Sequence, residues 1–248
     1  MYYESSNEHL KDFVRDIKSY FNQKENHTIY DKRNIIKIVE FENKKYVVKS
    51  FKVPHLLNQI IYKFFRDSKA KRSFLNSIKL KELGINTPKP VGYIEFPSVF
   101  KFKESFYISE FFDFDFEIRA VFANKNFKDR KNILEKFIEY SYMLHQKKVY
   151  HIDYSPGNIL VKKIKNNYIF SIIDVNRMKF LGFDDDLRMQ SLAKLTNSKK
   201  DNEFMAKYYA QIAKLDENIL LEKLNKALLK QEQYLSNKKR LKKIKSRC

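Results

Sequence analysis

Between His27 and Phe51, short β-branched and aromatic runs alternate with polar breaks: His27 to Tyr30, a turn at Asp31 to Asn34, Ile35 to Phe41, a turn at Glu42 to Lys44, then Lys45 to Phe51. Such runs bounded by polar turns predict three antiparallel strands. Pro54 then opens a segment whose Leu56, Leu57, Ile60, Ile61, Phe64 and Phe65 share one helical stripe, with Asn58, Gln59, Lys63 and Arg66 opposite. Ser68 is placed to cap a second helix that runs to Leu83 and stops at Gly84, with Pro88 and Pro90 beyond. Strands follow at Val91 to Phe96 and Phe106 to Phe111.

From about Phe114 the period becomes helical. Asp129 is placed as a cap, and Ile133, Leu134, Phe137, Ile138 and Leu144 share a face. A hairpin is expected from Ile159 to Ile164 and Tyr168 to Ile173, turning at Lys165 to Asn167, and everything after Asp184 reads as helix. The pattern predicts an α+β chain with two lobes: a small β-rich N-lobe over residues 1–112 and a mostly helical C-lobe over 113–248. No Pro/Gly-rich linker separates them, and no internal repeat is visible.

Composition narrows the picture. The 248 residues are 43% hydrophobic and 15% aromatic, which excludes a disordered or low-complexity chain. A net charge of +20 calls for an anionic partner: phosphate, an acidic membrane surface or nucleic acid. The basic residues concentrate in two places, Lys52 to Lys81 and the tail from Lys238 to Arg247. No zinc pattern, Gly-rich RNA motif or helix-turn-helix signal accompanies the charge, so no specific nucleic-acid binding is expected. The four glycines are too scattered for a Gly-rich phosphate loop, which removes the P-loop and the dinucleotide fingerprint. Cys248 alone builds no disulfide framework. The polar amino terminus lacks the apolar core of a signal peptide, and no segment reaches the ~20 apolar residues of a membrane span.

The chemistry concentrates in His151-Ile152-Asp153-Tyr154-Ser155-Pro156-Gly157-Asn158, followed by the expected hairpin and then Asp174 in Ile173-Asp174-Val175-Asn176-Arg177. This order, H-x-D-x-x-x-x-N, strand, turn, strand, D, resembles the catalytic loop and metal-binding Asp of the protein-kinase-like fold. Upstream, Tyr46-Val47-Val48-Lys49 resembles the strand whose lysine grips the α/β-phosphates of ATP. Phosphoryl transfer needs an acceptor for the hydroxyl proton and oxygen ligands for Mg²⁺. The resemblance gives Asp153 the first task and Asn158 and Asp174 the second. His151 is expected to be structural.

The full string His151 to Leu160, with Asp174-Val175-Asn176-Arg177-Met178, Val48 to Lys52, Lys69 to Phe74, Thr87 to Val91 and Ile108 to Glu110, is similar to the lipopolysaccharide core kinases, most of all the Kdo kinase group. That resemblance covers about residues 28 to 180. It implies an enzyme using ATP and Mg²⁺ to phosphorylate Kdo of the lipid A inner core, peripheral on the cytoplasmic face of the bacterial inner membrane. It also implies that Glu110 to Phe112 form the hinge holding adenine. Arg177 is open to two readings, a phosphate or substrate contact and a salt-bridging surface residue.

Two departures from that pattern stand out. The turn Asp31 to Asn34 has no glycine, and Ala70 to Lys81 contains no acid to pair with Lys49. The missing acid keeps open a second reading, a catalytically weak pseudokinase serving as a membrane-associated binding module. A kinase for another small-molecule acceptor is a third. The Leu56/Ile60/Phe64 stripe is likewise open, as a lipid-facing surface or as ordinary core.

Overall fold

The structure is a computed structural model that describes residues 1–31, 34–51, 67–97 and 102–245. The expected Pro54 to Phe65 helix, Arg33 and Cys248 lie outside the described residues. The chain divides into two units, Met1–Asp113 with Ser171–Arg177, and Phe114–Phe170 with Met178–Cys248.

The first unit is built on a six-stranded antiparallel sheet. Its strands are β1 (Tyr2–Ser5), β2 (His27–Asp31), β3 (Asn34–Phe41), β4 (Lys44–Phe51), β5 (Pro90–Pro97) and β6 (Phe102–Glu110), in the order β1-β5-β6-β4-β3-β2. Glu42 and Asn43 both have positive φ, 49° and 59°, the mirror-image turn whose twist matches a two-residue hairpin, and they set the register Phe41↔Lys44 between β3 and β4. Two short helices that the sequence pattern did not reveal, α1 (Lys11–Arg15) and α2 (Ile17–Phe21), bury Phe13, Val14, Ile17 and Phe21 with Val39, Tyr46, Val48, Phe106 and Ile108 of the sheet. Phe13 stacks on Phe41 with ring centroids 4.5 Å apart.

Helix α3 (Lys69–Glu82) forms where the caps predict it. The Ser68 hydroxyl accepts from the Lys71 amide, and at the other end Gly84 adopts φ 66°. That left-handed residue lets the Ile85 N–H reach the Leu80 carbonyl at 2.8 Å, closing the helix as a Schellman motif with Ile85 buried beneath it.

The second unit holds β7 (Phe116–Glu117), α4 (Ile118–Ala123), α5 (Arg130–Gln146), β8 (Val149–His151), β9 (Ile159–Ile164), most of β10 (Asn167–Ile172), β11 (Met178–Phe180), α6 (Asp185–Leu192), α7 (Lys199–Ala213) and α8 (Glu217–Lys245). The expected hairpin is β9 and β10, with Lys165 at φ 54° in its turn, and β9 pairs on its other edge with β7. Helix α5 buries the predicted face, but its cap differs: Asp129 sits at φ 60° and makes no side-chain cap. Its carboxylate instead accepts from Asn132 Nδ2 and the Tyr168 hydroxyl. In α8 the buried face is Leu220, Leu224 and Ala227, while Leu235 is exposed. Among the described residues no helix is long and apolar enough to cross a membrane.

Candidate active site

In the first unit, β4 lies between β3 and β6, so Lys49 faces Ile36 on one side and Tyr107 on the other. Its side chain is only 13% exposed, and its ammonium lies 5.3 Å from the centre of the Phe51 ring. The partner expected on α3 is absent; Lys49 Nζ instead donates to Asp174 Oδ1. The lysine's counter-ion is therefore the second carboxylate of the sequence motif.

Asp174 is held in an unusual backbone state, φ 57°, which bulkier side chains adopt rarely. Its surroundings over-determine it. On the approach, the Ile172 N–H donates to the Asn86 carbonyl at 3.0 Å, and the Thr87 hydroxyl donates to the Ile172 carbonyl at 2.8 Å. Beyond it, Asn176 Nδ2 donates to Asp174 Oδ1 at 2.7 Å. Helix α3 reaches the same turn: Asn76 Nδ2 donates to the Val175 carbonyl at 2.7 Å and Arg72 Nε to the Asn176 carbonyl at 3.1 Å. Arg177 closes this turn and is exposed.

Glu110 ends β6 opposite Tyr46, and its carboxylate accepts from Lys89 Nζ at 2.6 Å. The Glu110 and Phe111 amides donate to the Lys89 and Lys45 carbonyls, both at 2.9 Å. The amides at the start of the expected hinge are thus engaged within the first unit.

In the second unit, Asp153 and Asn158 share a short loop between β8 and β9. Tyr154 anchors it: 1% exposed, it stacks against Phe137 of α5, and its hydroxyl pairs with Ser141 Oγ at 2.8 Å. Burial drives that phenol's pKa upward, so it stays neutral. A 3-10 turn over Pro156–Asn158 follows, and Asn158 Nδ2 donates back to the Asp153 carbonyl at 2.9 Å. With its amide nitrogen so engaged, Asn158 presents Oδ1 as its remaining polar atom. His151 is 2% exposed in β8, paired with Met178 of β11, which agrees with a structural role.

Two further cations reach this loop, and neither has a signal in the sequence beyond being one basic residue among many. Lys194 Nζ donates to the Ile152 carbonyl at 3.0 Å and the Tyr150 hydroxyl at 2.9 Å, and sits 4.7 Å from the Tyr150 ring centre. Arg119 of α4 lies over Gly157, so close that a Cβ added there would be 1.7 Å from its Nη2.

The donors suited to a cation are hard oxygens: the Asp174 carboxylate in the first unit and Asn158 Oδ1 in the second. Among the described residues no group of three or more His, Cys, Asp or Glu could hold a metal. The carboxylate and the amide oxygen are each the kind of hard oxygen donor that suits an ion such as Mg²⁺, which keeps phosphate and water among its ligands.

The family model for lipopolysaccharide kinase (Kdo/WaaP) matches residues 22–215. No curated protein sequence is significantly similar. Among solved structures, WaaP in complex with acyl carrier protein is similar to this chain, with a TM-score of 0.60 and 17% identity over 93% of this chain and 99% of that one. That likeness is one of fold. WbdD bound to a kinase inhibitor aligns with a TM-score of 0.48 at 17% identity, over 84% of this chain and 46% of the WbdD chain.

Proposed function

The chain belongs to the lipopolysaccharide kinase (Kdo/WaaP) family and is a kinase of kinase-like fold, and from that premise we propose that it phosphorylates a sugar hydroxyl of the lipopolysaccharide inner core, Kdo on lipid A, using ATP and Mg²⁺. In this reading Asp153 accepts the proton of the acceptor hydroxyl as its oxygen forms a bond to the γ-phosphorus. The bond from that phosphorus to the bridging oxygen breaks, and ADP leaves with the electron pair. Asn158 and Asp174 would be the ligands of Mg²⁺, which would supply neutralisation of charge on the phosphates. Lys49 binds the α/β-phosphates, and the segment Glu110 to Phe112 holds adenine through backbone groups, with the Phe112 amide as donor.

The observation that carries this reading is the Lys49–Asp174 ion pair. It supports a lysine and a metal-binding carboxylate working at one place, as ATP chemistry requires. The +20 charge supports an anionic glycolipid acceptor and a peripheral position on an acidic membrane surface at the inner face of the bacterial inner membrane.

The test is transfer from labelled ATP with Mg²⁺ to Kdo-bearing lipid A, beside Asp153→Ala and Asp174→Ala. Label on the glycolipid that both substitutions remove supports the proposal. Turnover only with other sugars would move the acceptor elsewhere, and failure to bind Mg-ATP would overturn the proposal.

A further inference from the structure

Helix α3 carries no acid between Ala70 and Lys81, yet it is joined to the turn that presents Asp174. Arg72 and Asn76 are four residues apart, so they lie one above the other on a single face of the helix. Both donate to main-chain oxygens just beyond the aspartate, Arg72 to Asn176 and Asn76 to Val175, and the Asn176 side chain donates onward to Asp174 Oδ1. Leu75 points away, 40% exposed. An acid on this helix would act on Lys49; these donors act on the residue to which Lys49 is paired.

We propose that Arg72 and Asn76 are positioning residues that replace the helix acid of other kinases, setting the Asp174 carboxylate for the metal by holding the carbonyls of Val175 and Asn176. This rests on the assignment of Asp174 as a metal ligand. Asp174 is also the counter-ion of Lys49, so its carboxylate would be shared between the lysine and a bound cation. Metal and nucleotide binding are thereby coupled through a single carboxylate, and the helix tunes both through its hold on the turn. Loss of support of this indirect kind typically costs about 10–100-fold in metal affinity or activity.

The experiment measures Mn²⁺ binding by electron paramagnetic resonance with a non-hydrolysable ATP analogue, on wild type, Asn76→Ala, Asn76→Asp, Arg72→Lys and Leu75→Ala. Asn76→Asp keeps the shape and removes the donor. Mn²⁺ affinity should fall about ten-fold in both Asn76 variants, and the metal concentration for half-maximal turnover should rise in parallel. The acceptor KM should not change, and Leu75→Ala should match wild type. Wild-type Mn²⁺ affinity in the Asn76 variants, with wild type itself binding, overturns this inference and leaves the proposed function standing. Wild type that binds no Mn²⁺ with nucleotide overturns both. Should the Asn76 variants not fold, Arg72→Lys reads the same quantity, and unchanged Mn²⁺ affinity there overturns the inference.

Discussion

Lys49 and Asp174, 125 residues apart in the chain, meet as an ion pair in which the lysine is the more buried member, 13% exposed against 35%. That asymmetry predicts unequal costs. Asp174→Asn leaves a largely buried ammonium without its counter-charge and should destabilise the protein by about 1–3 kcal/mol; Lys49→Met, which leaves the better-solvated carboxylate, should cost less. Asparagine tolerates the left-handed backbone, so strain does not confuse the comparison. Denaturant unfolding of both variants measures the difference. In a transfer assay each should lose on the order of 10²–10³ in turnover.

The residues of the proposed site stand out in the amino-acid sequence through resemblance: Asp153, Asn158 and Asp174 follow the loop, hairpin and carboxylate order of the kinase-like motif, and Lys49 stands on a strand like its lysine strand. How they are held is not legible there. Arg72, Asn76 and Asn176 act through main-chain oxygens, which have no residue identity to read. Lys194 and Arg119 are two among fifty Lys and Arg residues. Helices α1 and α2, of five residues each, are too short for a helical period to emerge. Asp129 illustrates the reverse error: its position invited a cap, but Tyr168, far along the chain, claims the carboxylate.

Two glycines should respond unequally to alanine. At Gly92 a Cβ would lie 2.5 Å from the Glu4 carbonyl oxygen and 2.8 Å from Val14 Cγ2, between a strand and the core, and Gly92→Ala should cost about 1–3 kcal/mol. At Gly157 the obstacle is the end of the Arg119 side chain, which is 66% exposed and free to swing outward. Gly157→Ala should therefore change stability by no more than about 0.5 kcal/mol. Thermal unfolding of the pair separates the cases.

Lys194 ties the loop bearing Asp153 to its preceding strand, donating one hydrogen bond to the carbonyl immediately before Asp153 and one to the Tyr150 hydroxyl on β8. Lys194→Met should lower kcat about ten-fold with the KM for ATP unchanged, and Lys194→Arg, which keeps a cation and donors, should recover part of the loss. Steady-state kinetics with ATP varied at saturating acceptor reads both parameters.

Acid should unfold the protein partly through His145. Buried against Phe183, with its Nδ1 2.9 Å from the Tyr209 hydroxyl, its imidazole is pushed down to about 3, chiefly by burial and secondarily by the charge of Arg188. In the unfolded chain it titrates near 6.5. Between those values the unfolded state holds the extra proton, so the contribution of His145 is complete above pH 6.5 and is lost progressively as the pH falls towards 3. Melting temperatures across that range should fall less steeply for His145→Gln than for wild type.

The allotment of Ser171–Arg177 to the first unit, although fifty-seven residues of the second precede it, sets an order on synthesis. When a ribosome has released residues 1 to 113, the sheet strands and α3 are available, but Lys49 has no counter-charge and Asn76, Asn86 and Thr87 have no partners on β10 and its turn. Those seven residues emerge only after the loop bearing Asp153, β9 and most of β10, a delay on the order of seconds at ordinary elongation rates. The nascent amino-terminal part must therefore wait, unfinished, for a strand made later. A fragment ending at Asp113 would keep that deficiency permanently.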